Sequence, residues 1–334
     1  VYAVVLVGGF GTRLRPLTNE IPKPMLPVVH RPMIVRLVDR LAAGGVTDVV
    51  LALGFKPEPF RDAFPDGRHG DVRVHYAVEP EPLDTAGAIA FAARDAGVDE
   101  PFLVANGDVI TDLDVARLVD AHRMARSAAT IHLTPVADPS AFGVVETDLT
   151  GAVRRFIEKP APGETESNLI NAGTYVLEPS VLDMIEPGRK VSIERDTFPR
   201  LVDQGMLSSL ATDDYWIDAG QPALYLRANL DLAAGRLGGG DEPAIAPTAT
   251  VDPTARCIGS VVGPGAAVSA GASVTASVIL PGAVVGERAM VVDSIVAGHV
   301  GAGAAVSGSV IGAGYRVADG ATVADAVLPP NDNT

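Results

Sequence analysis

The sequence predicts an α/β protein in two parts: a doubly wound, mostly parallel, Rossmann-like sheet over residues 1–237, and a left-handed parallel β-helix of hexapeptide repeats over 244–330. Three observations predict it. Short apolar runs alternate with amphipathic helical patterns through the first two thirds of the chain, which is the βαβ signature. A glycine cluster, "GGFG" at 8–11, closes the first apolar run. Beyond residue 244 Ala, Val, Gly and Ser dominate, charge nearly vanishes, and aliphatic triads recur at a regular period.

The elements follow in order. "YAVVLV" reads as a buried strand, and "MIVRLVDRLAAGG" sets Ile34, Leu37, Val38 and Leu41 on one helical face before ending on glycine. "DVVLAL", "VRVHYAV", "PFLVANGDV" and "AATIHLTPV" continue the strands, with "TAGAIAFAARDA" and "LDVARLVDAHRMA" as helices between them. Strands at "FGVVET", "AVRRFIEK", "NAGTYVLE" and "LSSLAT" extend the sheet, and helix "PALYLRANLDLAAGRL" closes the domain before a Gly/Pro linker at 238–243. Past the linker, "SVV" at 260, "SVI" at 277, "SIV" at 294, "SVI" at 309 and "AVL" at 326 are spaced by 17, 17, 15 and 17 residues, with six-residue steps such as Val262, Val268 and Val274 inside the turns. Three hexapeptides make one coil of about 18 residues in a parallel β-helix, whose faces each point an aliphatic residue inward.

Composition narrows the function. A formal net charge of -15 over 334 residues disfavours nucleic acid and anionic lipid as partners. Residues 1–40 are the exception, holding Arg13, Arg15, Lys23, Arg31, Arg36 and Arg40 against Glu20 and Asp39, a balance of +4 that suits a small phosphorylated ligand. The seven-residue apolar opening is too short for a secretory core or a membrane span, so a cytoplasmic location is expected. The lone Cys257 reads as a buried, inert thiol, and the six histidines show no metal-ligand spacing such as HExxH.

Two familiar phosphate motifs fail at the glycine cluster. "GGFGTR" lacks the Lys-Ser/Thr end of a Walker loop, and the third glycine of a dinucleotide fingerprint would fall on Leu14. What remains is a strand running into a turn whose amides can approach a phosphate chain, with Arg13 as a fork-shaped cation and Lys23 as a point-like one. A tight turn with solvated basic residues is the other reading of the same features.

"LVGGFGTRLRPLTNEIPKPMLPV" resembles the signature of the sugar-1-phosphate nucleotidyltransferases, the nucleotide-sugar pyrophosphorylases. "EPLDTAGAI" from 81, "NGDV" from 106, "FIEKP" from 156, "NAGTYV" from 171 and "YWIDAG" from 215 match in family order, and the branch most similar is that of the mannose-1-phosphate guanylyltransferases (GDP-mannose pyrophosphorylases). The resemblance implies a Mg²⁺-dependent transfer of a nucleoside monophosphate from an NTP, GTP by first choice, to a sugar 1-phosphate, mannose 1-phosphate by first choice. Glucose 1-phosphate or a cyclitol phosphate such as valienol 1-phosphate is the alternative substrate, and a non-catalytic sensor or scaffold the alternative class. Gly8, Gly9, Gly11, Thr12 and Arg13 would wrap the triphosphate, and Lys23 would contact its phosphates. Leu83, Thr85, Ala86 and Gly87 would border the base. Gly143, Glu158, Asn171 and Gly173 would serve the sugar, Lys159 its phosphate, and Asp108 and Asp218 would hold Mg²⁺. Arg13, Lys23 and Asp108 are the expected catalytic residues. A homo-oligomer is expected, and the β-helix is read as providing an interface or an allosteric surface.

One position departs from the family pattern. Asp84 stands where guanylyltransferase-like members commonly have Gly, so that "PLGTAG" becomes "PLDTAG". A carboxylate there could accept from guanine N–H groups or crowd the pocket. A hexapeptide acyltransferase would want a catalytic histidine, for which only His299 is available in the repeats; a metal-dependent glycosyltransferase would not need "GTRLRPLT".

Overall fold

Ala3, Val4 and Val5 of strand β1 (Tyr2–Leu6) are fully buried on both faces, as a central strand of a parallel sheet must be. The computed structural model describes residues 1–9, 11–54, 57–237 and 242–330. Helix α1 (Met33–Ala43) buries the expected stripe of Ile34, Leu37, Val38 and Leu41. Strand β2 (Asp48–Leu53), the short helix α2 (Glu58–Ala63), β3 (Val72–Val78), α3 (Asp84–Asp95), β4 (Phe102–Asn106) and α4 (Val115–Ala125) complete the alternation. Asp114 caps α4 by accepting from the amides of Ala116 and Arg117.

The parallel half of the sheet runs β3–β2–β1–β4. This is the doubly wound order, with its reversal between β1 and β4. The later strands are β5 (Ala129–Pro135), β6 (Gly143–Thr147), β7 (Val153–Glu158), β8 (Leu169–Leu177) and, after helix α5 (Phe198–Asp203), β9 (Leu207–Ala211). β8 pairs antiparallel with β4, β5 and β6, and β6 with β7. β9 returns to the parallel sense beside β5. The antiparallel strands arise where a tight turn at Asp148–Gly151 joins β6 to β7, leaving no room for a crossover helix.

The chain packs as two compact units, Val1–Gly9 with Ile34–Trp216, and Phe10–Met33 with Ile217–Thr334. The first holds the sheet. The second joins the segment after the first glycines to helix α6 (Pro222–Ala233) and the repeats. Residues 238–241 of the expected linker lie outside the described residues.

The repeats form three five-stranded parallel sheets. Val261 pairs with Val278, Val278 with Ile295, Ile295 with Val310 and Val310 with Val327, which reproduces the 17, 17, 15, 17 spacing of the sequence. Val262, Ile279, Val296 and Ile311 stack as a fully buried column. Beside it runs a serine ladder. The amides of Ser277, Ser294 and Ser309 each donate to the Oγ of the serine one coil earlier at 3.1 Å, and Ala326 closes the ladder on Ser309. Each Oγ donates in turn to the carbonyl two residues before it. A serine opens almost every triad because it satisfies a buried amide that an alanine would leave to other partners. Cys257 is half-buried against this core, and burial raises its thiol pKa.

Candidate active site

In the first unit the register of β1 with β4 sets the site. Leu6 lies opposite Asn106, and the Gly107 amide donates to the Leu6 carbonyl at 2.9 Å. Gly8–Gly9 and Asp108 therefore leave two neighbouring strands side by side, at the carboxyl edge where the strand order reverses. Open α/β sheets bind ligands at such a switch point. Gly9 has φ 123, a conformation that a side chain would strain.

The segment expected to border the base is tied down from behind. The Ala86 and Gly87 amides both donate to the Val191 carbonyl, and a Cβ on Gly87 would fall 2.7 Å from the Arg189 carbonyl oxygen. Thr85 Oγ1 donates to Glu194 Oε2 and accepts from the Ile193 amide, both at 2.8 Å. Leu83 and Ala86 are buried. Asp84 is exposed, sits at φ 61, and folds its carboxylate back onto the Thr85 amide at 2.8 Å. The left-handed backbone is the physical reason a glycine suits this position.

Sequence reasoning missed Glu79. It is 8% exposed, accepts from the Leu83 amide at 2.9 Å, and has Oε1 3.9 Å from where a Cβ on Gly8 would stand. Burial raises its pKa, against the Leu83 hydrogen bond. The signal was present as a carboxylate ending the apolar strand "VRVHYAV".

The residues expected to serve the sugar gather on the antiparallel strands. Gly143 faces Glu158 across β6 and β7, and Val144 faces Ile170, which brings Asn171 beside Gly143. A Cβ on Gly143 would collide with the Phe156 ring at 2.6 Å and approach Glu158 Oε2 at 3.0 Å. Burial raises the Glu158 pKa, and the Glu194 charge adds to the shift while Lys159 and Arg195 oppose it. The two neighbours do not simply alternate faces of one strand: β7 ends at Glu158, and Lys159 turns away at φ 52 with its amide on the Phe142 carbonyl. Gly173, at φ 77, leaves room for Asn106, whose Nδ2 would be 2.6 Å from a Cβ there. The Trp216 indole donates to the Ala172 carbonyl and meets Phe142 edge-on, a packing role.

The second unit carries Arg13 and Lys23. Thr12–Leu14 form a single 3₁₀ turn after Gly11, which is left-handed at φ 58. Thr18 Oγ1 donates to the Gly11 carbonyl at 2.7 Å, and a Cβ on Gly11 would meet Thr18 and Lys23 at 3.1–3.2 Å. Lys23 is buried and pairs with Asp218 Oδ1 at 3.5 Å. Gly220 is the hub: a Cβ there would lie 2.7 Å from Asp218 Oδ1, 2.7 Å from Lys23 Nζ and 3.1 Å from Arg13 Nη2. Two cations and a carboxylate thus converge on a stretch of bare backbone. Arg13 and Thr12 remain exposed.

A nucleotidyl transferase family model matches residues 2–235, and a GMPPB C-terminal domain model matches residues 241–333. A mannose-1-phosphate guanylyltransferase of Mycobacterium tuberculosis is 42% identical over 270 residues, covering 78% of this chain and 74% of that protein. A mannose-1-phosphate guanyltransferase of Candida albicans is 45% identical over 228 residues, 67% of this chain and 62% of that protein, so the match spans less than two thirds of the yeast enzyme. The crystal structure of HddC from Yersinia pseudotuberculosis complexed with GMP-PN is similar with a TM-score of 0.59 and 31% identity, over 69% of this chain and 99% of that one. Among the described residues no helix is long and apolar enough to cross a membrane.

Proposed function

The chain belongs to the nucleotidyl transferase family, and from that membership we propose that it transfers GMP from GTP to mannose 1-phosphate, giving GDP-mannose and pyrophosphate. The observation that carries this reading is the convergence of Arg13, Lys23 and Asp218 on Gly220. The two cations suit a polyphosphate in complementary ways, the guanidinium as a fork for paired oxygens and the ammonium as a point charge for a single one. The names of the curated relatives supply the choice of guanine and mannose.

A phosphate oxygen of the sugar 1-phosphate attacks the α-phosphorus of the nucleotide, the bond to the β-phosphate oxygen breaks, and pyrophosphate leaves. No protein nucleophile is needed; positioning and charge neutralisation suffice. Arg13 and Lys23 hold the triphosphate and offset the negative charge that gathers on it. The Gly8–Gly9 amides approach the phosphate chain, Glu79 and the start of α3 take the base, and Glu158, Asn171 and Lys159 orient the sugar phosphate.

The donor chemistry fits Mg²⁺. Asp218, beside Lys23 in the cradle, is a carboxylate, the hard ligand this ion prefers, and the family resemblance implies the same use for Asp108. When bound, the ion supplies neutralising charge to the polyphosphate.

Pyrophosphate release from a matrix of GTP, ATP, UTP and dTTP against mannose 1-phosphate, glucose 1-phosphate and valienol 1-phosphate tests the proposal. Highest kcat/KM with GTP and mannose 1-phosphate is expected. Preference for another pair overturns the substrate choice, and no turnover with any pair overturns the reaction.

A further inference from the structure

We propose that the β-helix braces the phosphate-binding turn through one contact, Pro16 seated on the bare backbone of Gly312, so that Gly312 is a positioning residue for the nucleotide. This rests on the reading of residues 11–23 as the triphosphate cradle. Both residues are buried and both belong to the second compact unit.

A Cβ on Gly312 would fall 2.5 Å from Pro16 Cγ and 2.8 Å from its Cβ. A proline ring cannot swing aside as a long side chain could, so any residue larger than glycine must displace the turn that carries Arg13. The coil itself does not demand glycine at every such corner. Gly312 is the residue after the strand Val310–Ile311, and the matching corners of earlier coils are Gly263, after Val261–Val262, Leu280, after Val278–Ile279, and Ala297, after Ile295–Val296. All four make the same hydrogen bond, from their own amide to the strand of the next coil: Gly263 to Ile279, Leu280 to Val296, Ala297 to Ile311, Gly312 to Leu328. Leu280 and Ala297 are therefore accommodated at this corner, whereas at Gly263 the following coil's own Pro281, its nitrogen 2.8 Å from an added Cβ, excludes a side chain. The Leu328 carbonyl, 3.2 Å from the added Cβ, is a squeeze of a few tenths of an ångström and not a bar.

The same unit holds the rest of that segment by a second route. Helix α6 packs on the strands Val261–Val262 and Val278–Ile279. From α6, Asn229 Oδ1 accepts from the Val29 amide at 2.7 Å, and the Tyr225 hydroxyl donates to the Pro27 carbonyl. Val29 is a β-branched residue at φ 58, a conformation that persists only where neighbours enforce it. Pro16 on one side of Lys23 and Val29 on the other are thus both fixed by elements that belong with the repeats.

Gly312→Val tests the brace on the full chain. Hydrogen exchange, read without substrate, is expected to speed at the amides of residues 14–19, whose turn bonds include Leu14 to Gly11 and Leu17 to Leu14. With GTP and mannose 1-phosphate, KM for GTP is expected to rise at least 10-fold while kcat changes less than 3-fold. Ala297→Leu, at the matching corner one coil earlier, is expected to change neither. Should Gly312→Val fail to fold, Gly312→Ala and Pro16→Gly probe the contact from its two sides and are expected to speed the same amides. Unchanged exchange at residues 14–19 in a folded variant overturns the brace. Faster exchange with unaltered GTP kinetics keeps the brace and overturns the reading of the turn as the triphosphate cradle.

Discussion

Lys23 Nζ stands 3.5 Å from Asp218 Oδ1, an ion pair between side chains only 10% and 25% exposed and 195 residues apart in sequence. In the proposed reaction each partner has another use, Lys23 for a phosphate and Asp218 for a cation. The pair then keeps two buried charges satisfied until substrate takes them over. Lys23→Ala and Asp218→Ala are each expected to lower kcat by about 10²- to 10³-fold. The double variant should lose much less than the product of the two, because residues acting as one unit are not additive. Pyrophosphate release by purified variants, with circular dichroism to confirm the fold, checks this; near-normal turnover in either single variant contradicts the assignment.

Removal of divalent cations should abolish turnover, and Mg²⁺ in excess of chelator should restore it. Asp218→Asn is expected to raise the Mg²⁺ concentration needed for half-maximal rate, since an amide is a weaker ligand for a hard cation than a carboxylate. An unchanged Mg²⁺ titration would separate Asp218 from the metal.

Asp84 holds a left-handed backbone at φ 61 on an exposed turn. A non-glycine residue there carries about 1–2 kcal/mol of strain, partly offset by its hydrogen bond to the Thr85 amide. Asp84→Gly should therefore be neutral or stabilising by up to about 1 kcal/mol, whereas Asp84→Val, branched and without that bond, should destabilise by more than 1 kcal/mol. Urea midpoints of the three proteins decide it; equal midpoints would mean that the turn relaxes freely.

The repeats were the most legible part of the chain, because a coil of 17 residues writes its period directly into the positions of Val261, Val278, Ile295, Val310 and Val327. The parallel strands and α1 were legible for the same reason, periodicity with continuous burial. The antiparallel pairing of β6, β7 and β8 was not, since apolar runs do not encode direction. At the site, Gly9, Gly11 and Gly173 could be found as glycines, and each indeed has positive φ. Gly312 and Gly220 could not be singled out, because what excludes a side chain there is Pro16 in one case and the Arg13–Lys23–Asp218 cluster in the other, and such contacts across the chain leave no local pattern. Glu79 was half legible: a carboxylate directly after an apolar strand stands out in the sequence, but only the fold brings it beside Gly8.

If the start of α3 takes the base as proposed, Glu79, which accepts from the Leu83 amide there, should help to choose it. Guanine presents two adjacent N–H donors, which one carboxylate can accept together and which adenine lacks. Glu79→Gln keeps an oxygen for the Leu83 amide but replaces one acceptor by a donor. It should preserve stability and reduce the preference for GTP over ATP by at least about 10-fold, mainly through KM for GTP. ITP, which lacks the exocyclic amine, should be affected less than GTP. Equal losses for all three nucleotides would assign Glu79 a purely structural role.

Acid sensitivity should begin near neutrality, and His132 is the reason. It lies on β5 with no exposed surface, its Nε2 bonded to Thr212 Oγ1 at 2.8 Å and its Nδ1 without a hydrogen-bond partner. Burial lowers its pKa to about 4, although the Asp214 charge pulls the other way. The unfolded chain has the ordinary value near 6.5 and so binds a proton that the folded chain refuses. The stabilisation is full above about pH 6.5 and is lost as pH falls from there to about 4, a total of about 3 kcal/mol at 1.36 kcal/mol per unit. His122, buried beside Thr130, shifts in the same direction because its burial outweighs the opposing Glu178 charge. Asp48 acts in a separate window: hydrogen bonds from Arg73, and lesser ones from His75 and Thr47, hold its pKa well below the usual carboxylate range against the effect of burial. Its contribution is intact above about pH 4 and falls only below it. His132→Gln retains a partner for Thr212 but cannot titrate. Urea unfolding from pH 8 to pH 4 should show a much flatter decline for this variant than for the wild type, and parallel curves would remove His132 as the source.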